Sequence, residues 1–170
     1  YFMMEHAAEL ATPCGTKARE GSEMKDLLLI PDGAVIWRDD IIVFVGTTHE
    51  AHDWIERKLQ SGNQLDRLDA SGRTVIPGFV DPHTHFVFGG YRDQEFNRRL
   101  QGASYMEIME AGGGIASTNK ATKEASEDQL YQSGWQRLDR MLELGITTVE
   151  GKTGYGEDTE TEDKMLRVLE

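Results

Sequence analysis

The sequence predicts an α/β protein with a strand-rich first part, residues 1–77, and a second part, residues 78–170, in which strands and helices alternate. Three observations carry this. Apolar, β-branched runs separated by turn residues fill the stretch before Pro77, as short strands and hairpins do. From Gly78 the order reads strand, loop, helix, strand, loop, helix, which belongs to a parallel sheet. The longest helical stretch opens with Ser126-Glu127-Asp128-Gln129, a capping box in which Ser and Gln satisfy the free N–H groups of the first turn.

In the first part, Leu27-Leu28-Leu29-Ile30 is an apolar run that Pro31-Asp32-Gly33 is expected to end. Ala34-Val35-Ile36-Trp37 and Ile41-Ile42-Val43-Phe44-Val45-Gly46 read as a hairpin about Asp39-Asp40, a weaker turn signal than Asp-Gly. Thr48 is placed to cap a short helix running through Ile55. His49 and His52 read as solvated histidines on that acidic helix rather than as ligands, and His6 as a surface residue. Cys14 is the only cysteine, so an internal disulfide is excluded. It reads as an ordinary loop thiol, and its solitude fits a reducing cytoplasm.

The second part opens on Pro77-Gly78, which breaks the chain before Phe79 and Val80, both suited to a buried strand. His83-Thr84-His85 follows. In a strand, residues i and i+2 project from one face, so these two imidazoles can grip one metal ion. Histidine serves zinc, nickel and non-haem iron through a neutral ring nitrogen. Asp81 shares their parity and can orient a ligand from behind. Taken alone, His-x-His more often marks two surface histidines.

Next comes Phe86-Val87-Phe88-Gly89-Gly90-Tyr91-Arg92-Asp93, whose glycines let a loop approach a ligand closely. The fork of Arg92 suits a carboxylate, although an isolated arginine also reads as a salt-bridge partner. Glu95 to Met109 is helix-like in part, anchored by Phe96, Leu100, Tyr105 and Met109 and interrupted at Gly102. Spacing alone favours a core role for Tyr105 over a ligand-facing one. Ala111 to Thr118, with three glycines, reads as a flexible active-site loop, since it lacks the phosphate-loop pattern. Leu130, Leu138, Met141 and Leu142 form the core stripe of the helix after Ser126, which Gly145 ends. Ile146-Thr147-Thr148-Val149 is the second strand, followed by Glu150-Gly151-Lys152-Thr153-Gly154-Tyr155-Gly156. Asp158-Thr159-Glu160-Thr161 starts a last helix with acidic residues in its first turn and Met165, Leu166 and Leu169 on its apolar side.

A net charge of -12 disfavours nucleic acid and anionic membranes as partners, because both need basic patches. No apolar run reaches the roughly 20 residues of a spanning helix, and no secretory signal is visible. A cytoplasmic protein is the expectation.

The string Asp69-Ala70-Ser71-Gly72-Arg73-Thr74-Val75-Ile76-Pro77-Gly78-Phe79-Val80-Asp81-Pro82-His83-Thr84-His85 resembles the opening segment of the metal-dependent amidohydrolase superfamily, where His-x-His closes the first strand of a (β/α)8 barrel. Further blocks narrow the resemblance to the imidazolonepropionase family, which opens a ring in histidine breakdown. They are Phe88-Gly89-Gly90-Tyr91-Arg92, Leu100-Gln101-Gly102-Ala103-Ser104-Tyr105-Met106-Glu107-Ile108, Gly112-Gly113-Gly114-Ile115 and Gly151-Lys152-Thr153-Gly154-Tyr155-Gly156. The resemblance implies that residues 78–170 are the first strands and helices of a TIM barrel, preceded in residues 1–77 by part of a small β-sandwich domain. It implies zinc or iron on His83 and His85, imidazole suiting both. Arg92 would pair with the propionate carboxylate of 4-imidazolone-5-propionate, Tyr155 would contact the substrate, and Tyr105 would be a further contact. The implied reaction is hydrolysis of the cyclic amide C–N bond to N-formimidoyl-L-glutamate, by a homodimer. An anionic substrate meeting a chain of charge -12 needs a local cation, which Arg92 supplies.

A (β/α)8 barrel takes about 250 residues. The family draws a further metal-binding histidine and a catalytic aspartate from later strands, so no catalytic residue is assigned within these 170 residues. The chain is therefore expected to be the front portion of a longer protein, unstable and inactive by itself. Glu157 stands where an apolar residue is expected. Two other readings stay open: another amidohydrolase acting on a cyclic amide or amidine, and a non-catalytic fragment.

Overall fold

Strand β1 (Phe2–Pro13) is the axis of the first of two units, Tyr1–Pro77 and Gly78–Glu170, into which the computed structural model divides. The structure describes residues 1–15, 17–60 and 62–170. In the first unit β1 pairs antiparallel with β2 (Leu27–Arg38), which pairs antiparallel with β3 (Ile41–Thr47). Helix α1 (Thr48–Lys58) follows, and β4 (Asp66–Asp69) and β5 (Thr74–Val75) then add parallel to β1. The sheet order is β3-β2-β1-β4, with β5 on β1.

Several features differ from the sequence expectation. Pro31-Asp32-Gly33 does not end a strand but lies inside β2. There, β3 pairs only with Gly33 to Arg38, so Pro31 sits where one side of β2 is a free edge and a missing N–H is tolerated. Asp32 takes a φ of 47°. Residues 2–13 carry no alternation that marks a strand, yet form β1. Its register shifts between Met4 and Ala7, at a bulge where His6 has a φ of 62°. The β2–β3 hairpin turns at Asp39-Asp40, as its sequence suggests, with Asp39 at a φ of 55°. Thr47, not Thr48, caps α1, through a capping box with Glu50.

Met3, Ala34, Ile36 and Ala51 form the buried core of this unit, with Trp54, Phe44 and Tyr1 packed on it. Glu5, a buried acid of this unit, has a side chain 9% exposed, receives Arg67 Nη1 at 3.0 Å and lies 2.8 Å from His52 Nε2. His52, its side chain 42% exposed, is therefore a hydrogen-bond partner of Glu5 rather than a purely solvated histidine. His6 is exposed, as expected, and lies 3.3 Å from Asp32.

In the second unit β6 (Phe79–Thr84) pairs parallel with β7 (Ile146–Gly151), and four helices run between them. These are α2 (Asp93–Leu100), α3 (Tyr105–Glu110), α4 (Ile115–Glu124) and α5 (Glu127–Glu143), while α6 (Thr159–Leu169) follows β7. The capping box at Ser126 and Gln129 and the stop at Gly145, φ 86°, stand as expected. The apolar anchors of α2 do not: Phe96 and Leu100 are exposed. Of the α5 stripe, Leu130 is buried and Leu142 exposed. Ile115 to Thr118 are not loop but the first turn of α4, with Gly114 as its N-cap at a φ of 78°. Val87, Leu130 and Met165 are the buried core here, joining the loop after β6 to α5 and α6. Phe79 and Val80, suited to a buried strand, are 54% and 64% exposed, because β6 has only β7 as a neighbour among the described residues.

Candidate functional site

The parallel pairing of β6 and β7 places the ends of both strands side by side. Lys152 N donates to Thr84 O at 2.8 Å, so the last rung joins the segment after β7 to the residue between the two histidines. The rings of His83 and His85 stand with centroids 5.3 Å apart and planes at 66°, gathered as the two-residue period requires. His83 is exposed and His85 half-buried. Asp81 does not reach an imidazole. Its Oδ1 accepts from the backbone N of His83 at 3.1 Å, fixing the strand end on which the histidine stands.

Tyr155 comes to the same place from the other strand. Its ring lies edge-on to His85, centroids 5.3 Å apart at 64°. Phe88 lies on its other side at 5.6 Å. Gly154, φ +130°, brings backbone so close that a Cβ there would stand 3.3 Å from His85 Cε1. Lys152 and Glu150 form an ion pair beside the histidines. The Lys152 hydrogen bond first, and His83 by its charge, hold the Glu150 carboxyl below its usual range.

Two imidazoles are a donor set that zinc or iron takes. Nδ1 of His85 is buried with no hydrogen-bond partner among the described residues. A buried ring nitrogen left unpaired carries a desolvation cost that a bound cation removes. The residues thus fit a metal as part of a ligand set. No group of three or more His, Cys, Asp or Glu able to hold a metal forms among the described residues.

Of the substrate residues expected from the sequence, only Tyr155 touches a histidine of the pair. Arg92 sits at the N-cap of α2, with Nε 3.5 Å from Glu95 Oε2. Glu95 also accepts from Gly114 N at 2.7 Å, so one carboxylate joins Arg92 to the glycine segment before α4. Tyr105 is 61% exposed at the first residue of α3. Gly89 serves α4 rather than a ligand: it donates to Thr122 Oγ1 at 2.9 Å, and a Cβ there would stand 2.5 Å from Ala121 O. Glu157, where an apolar residue was expected, accepts from Asn119 Nδ2 at 2.8 Å.

The sequence reading missed Arg137 on α5. Its guanidinium donates to Phe86 O at 2.8 Å, Phe88 O at 3.0 Å and Tyr91 Oη at 3.0 Å. A lone arginine in a helix carries no spacing signal for such contacts.

Comparison with known proteins follows the same lines. The profile of the Amidohydrolase family matches residues 66–143. The imidazolonepropionase of Parabacteroides distasonis is 50% identical over 167 residues, covering 98% of this chain and 39% of the relative. That of Clostridium tetani is 44% identical over 168 residues, covering 99% and 39%. The chain thus spans about two fifths of the length of these curated relatives. Among solved structures, Escherichia coli guanine deaminase superposes with a TM-score of 0.59 at 14% identity, covering 99% of this chain and 34% of that one. The atrazine chlorohydrolase of Arthrobacter aurescens, solved with zinc, gives 0.58 at 14%, covering 99% and 33%. These structures share the fold, a partial (β/α)8 barrel preceded by a sheet. No helix among the described residues is long and apolar enough to cross a membrane. The chain is thus similar to the amidohydrolase family over residues 66–143, and nearly its whole length is similar to imidazolonepropionases.

Proposed function

We propose that the protein containing this chain hydrolyses 4-imidazolone-5-propionate to N-formimidoyl-L-glutamate. One observation supports this most: His83 and His85 stand together at the end of β6 with Tyr155 edge-on to His85, on a chain half identical to an imidazolonepropionase. His83 and His85 would hold zinc or iron. A metal there supplies Lewis-acid activation of water near neutral pH.

The remaining work falls to the chain's own side chains. Arg92 offers its fork to the propionate carboxylate, giving an anionic substrate a local cation on a chain of charge -12. In doing so it exchanges a contact at 3.5 Å with Glu95 for one with substrate, while Glu95 keeps its bond to Gly114 N. Tyr155 presents a ring against His85 and a hydroxyl toward the substrate, with Tyr105 a further contact. Asp81 and the Thr84–Lys152 rung hold the strand end still. In the reaction water adds to the ring carbonyl carbon, the C–N bond breaks and the ring nitrogen takes the proton. No residue of this chain is assigned as the general base.

We take residues 1–77 as part of a β-sandwich domain and 78–170 as the start of the barrel, in a cytoplasmic homodimer. The test is to express the complete gene product and incubate it with 4-imidazolone-5-propionate, following N-formimidoyl-L-glutamate by mass spectrometry. Turnover that Arg92→Ala abolishes supports the reading. An active hydrolase that ignores this substrate and opens another cyclic amide overturns it.

A further inference from the structure

The segment Phe86 to Tyr91 joins the last histidine of the pair to Arg92, so its path sets how far apart a metal and a substrate carboxylate can lie. Little of that path is fixed by regular structure. Beside the bond from Gly89 N to Thr122 Oγ1, one side chain from α5 holds it at three points. Half-buried Arg137 donates from Nη1 to Phe86 O at 2.8 Å and Phe88 O at 3.0 Å, and from Nε to Tyr91 Oη at 3.0 Å. Its guanidinium carbon also lies 3.6 Å from the centroid of the Phe88 ring and 4.8 Å from that of Tyr91. A planar fork that hydrogen-bonds in its plane and stacks through its face can do both at once, and an ammonium cannot.

The contacts continue into the site. Phe88, stacked on Arg137, packs against Tyr155 at 5.6 Å, and Tyr155 stands edge-on to His85 at 5.3 Å. Leu130, Gly134 and Arg137 share one face of α5, and this face packs on the segment: Val87 Cγ2 and Phe86 O lie at ordinary van der Waals distance from where a Cβ at Gly134 would stand.

We propose that Arg137 is a positioning residue for the imidazolonepropionase reaction: it clamps residues 86–91 so that His85, Tyr155 and Arg92 keep one spacing. Arg137 touches neither substrate nor metal in this role, which presupposes the function proposed above. The expected signature is in substrate capture more than in chemistry.

The test uses the complete gene product with Arg137→Lys and Arg137→Met. Steady-state kinetics on 4-imidazolone-5-propionate are paired with hydrogen exchange of peptides covering 86–91 and 127–143. In Arg137→Lys, KM is expected to rise about tenfold, the lower end of what losing a supporting partner costs a site, with kcat within threefold of wild type. Exchange quickens at 86–91 and not along α5, and Arg137→Met shows the larger effect. An Arg137→Lys protein with KM within twofold of wild type overturns the role, as does a loss of rate matched by faster exchange along all of α5, which marks simple destabilisation. A wild-type protein that does not act on the compound fails at the proposed function instead, and the positioning role falls with it. Wild-type turnover with an unmoved KM in the variant is the failure that belongs to Arg137 alone.

Discussion

The ring of Tyr155 stands edge-on to the imidazole of His85, centroids 5.3 Å apart and planes at 64°. The two residues come from the ends of neighbouring parallel strands, and the contact depends on the rung between Lys152 N and Thr84 O. It also depends on Gly154, whose backbone lies against the same imidazole.

Gly154→Ala tests that closeness. At a φ of +130° an L residue is strained, and its Cβ would press within 3.3 Å of His85 Cε1. Strain of this kind costs ~1–3 kcal/mol, and the imidazole must shift by a few tenths of an ångström. Activity of the complete protein is expected to fall about ten- to hundredfold, as when a ligand loses its support, together with metal content at limiting metal. Unchanged metal content would show that His85 does not need this backbone approach.

Gly89→Ala is expected to disturb the loop before Arg92. The added Cβ meets backbone atoms of α4, Ala121 O at 2.5 Å and Thr122 N at 2.8 Å, and backbone cannot rotate away. Overpacking of this sort costs ~1–3 kcal/mol. A lowered urea midpoint with an unchanged slope is the readout. A midpoint equal to wild type contradicts the close packing.

Arg92→Lys is expected to raise KM roughly ten- to hundredfold, since one charge-assisted hydrogen bond of a bidentate pair is worth about 1.5–3 kcal/mol. Its Tm should stay near wild type, because lysine keeps the charge beside Glu95 and the pair is long, at 3.5 Å, with the Arg92 side chain 45% exposed. Steady-state kinetics beside a thermal melt separate the two. An unmoved KM places the substrate carboxylate elsewhere.

Acid is expected to loosen the first unit through Glu5. Burial raises the carboxyl's pKa, but hydrogen bonds from His52 and Arg67 outweigh it, leaving the pKa below its usual value. A carboxylate with a depressed folded pKa contributes stability that is present above its unfolded value, 4.5, and lost as pH falls through the folded value. Urea midpoints measured from pH 7 to pH 3 should therefore drop more steeply for wild type than for Glu5→Gln. Glu5→Gln loses the charge-assisted hydrogen bonds with Arg67 and so should start lower at pH 7. Parallel pH curves would contradict the assignment to Glu5.

What could be read from sequence was what depends on near neighbours. His83 and His85 were legible because the strand period brings i and i+2 together. The cap at Ser126, the turn at Asp39-Asp40 and the stop at Gly145 were legible for the same reason. Residues 2–13 show no apolar alternation, since the charged Glu5 takes one of the buried positions and the bulge at His6 interrupts the period, and so the strand was missed. The glycines before Ile115 masked α4, whose N-cap is one of them. Gly89 looked like a ligand-approach glycine because its true neighbour, Ala121, lies far along the chain. Asp81 kept its predicted parity but spends it on the backbone N of His83. The pairing of Arg137 with Phe86 and Phe88 rests on tertiary placement that no local pattern encodes, whereas Arg92 and Glu95 form an i,i+3 pair at the start of α2.

The most direct measurement is the metal content of the purified complete protein and of its His83→Ala/His85→Ala double variant, by mass spectrometry with inductively coupled plasma. One zinc or iron per chain in the wild type and none in the folded variant is the result predicted by a metal centre on this strand end. A folded double variant that retains wild-type metal would contradict it.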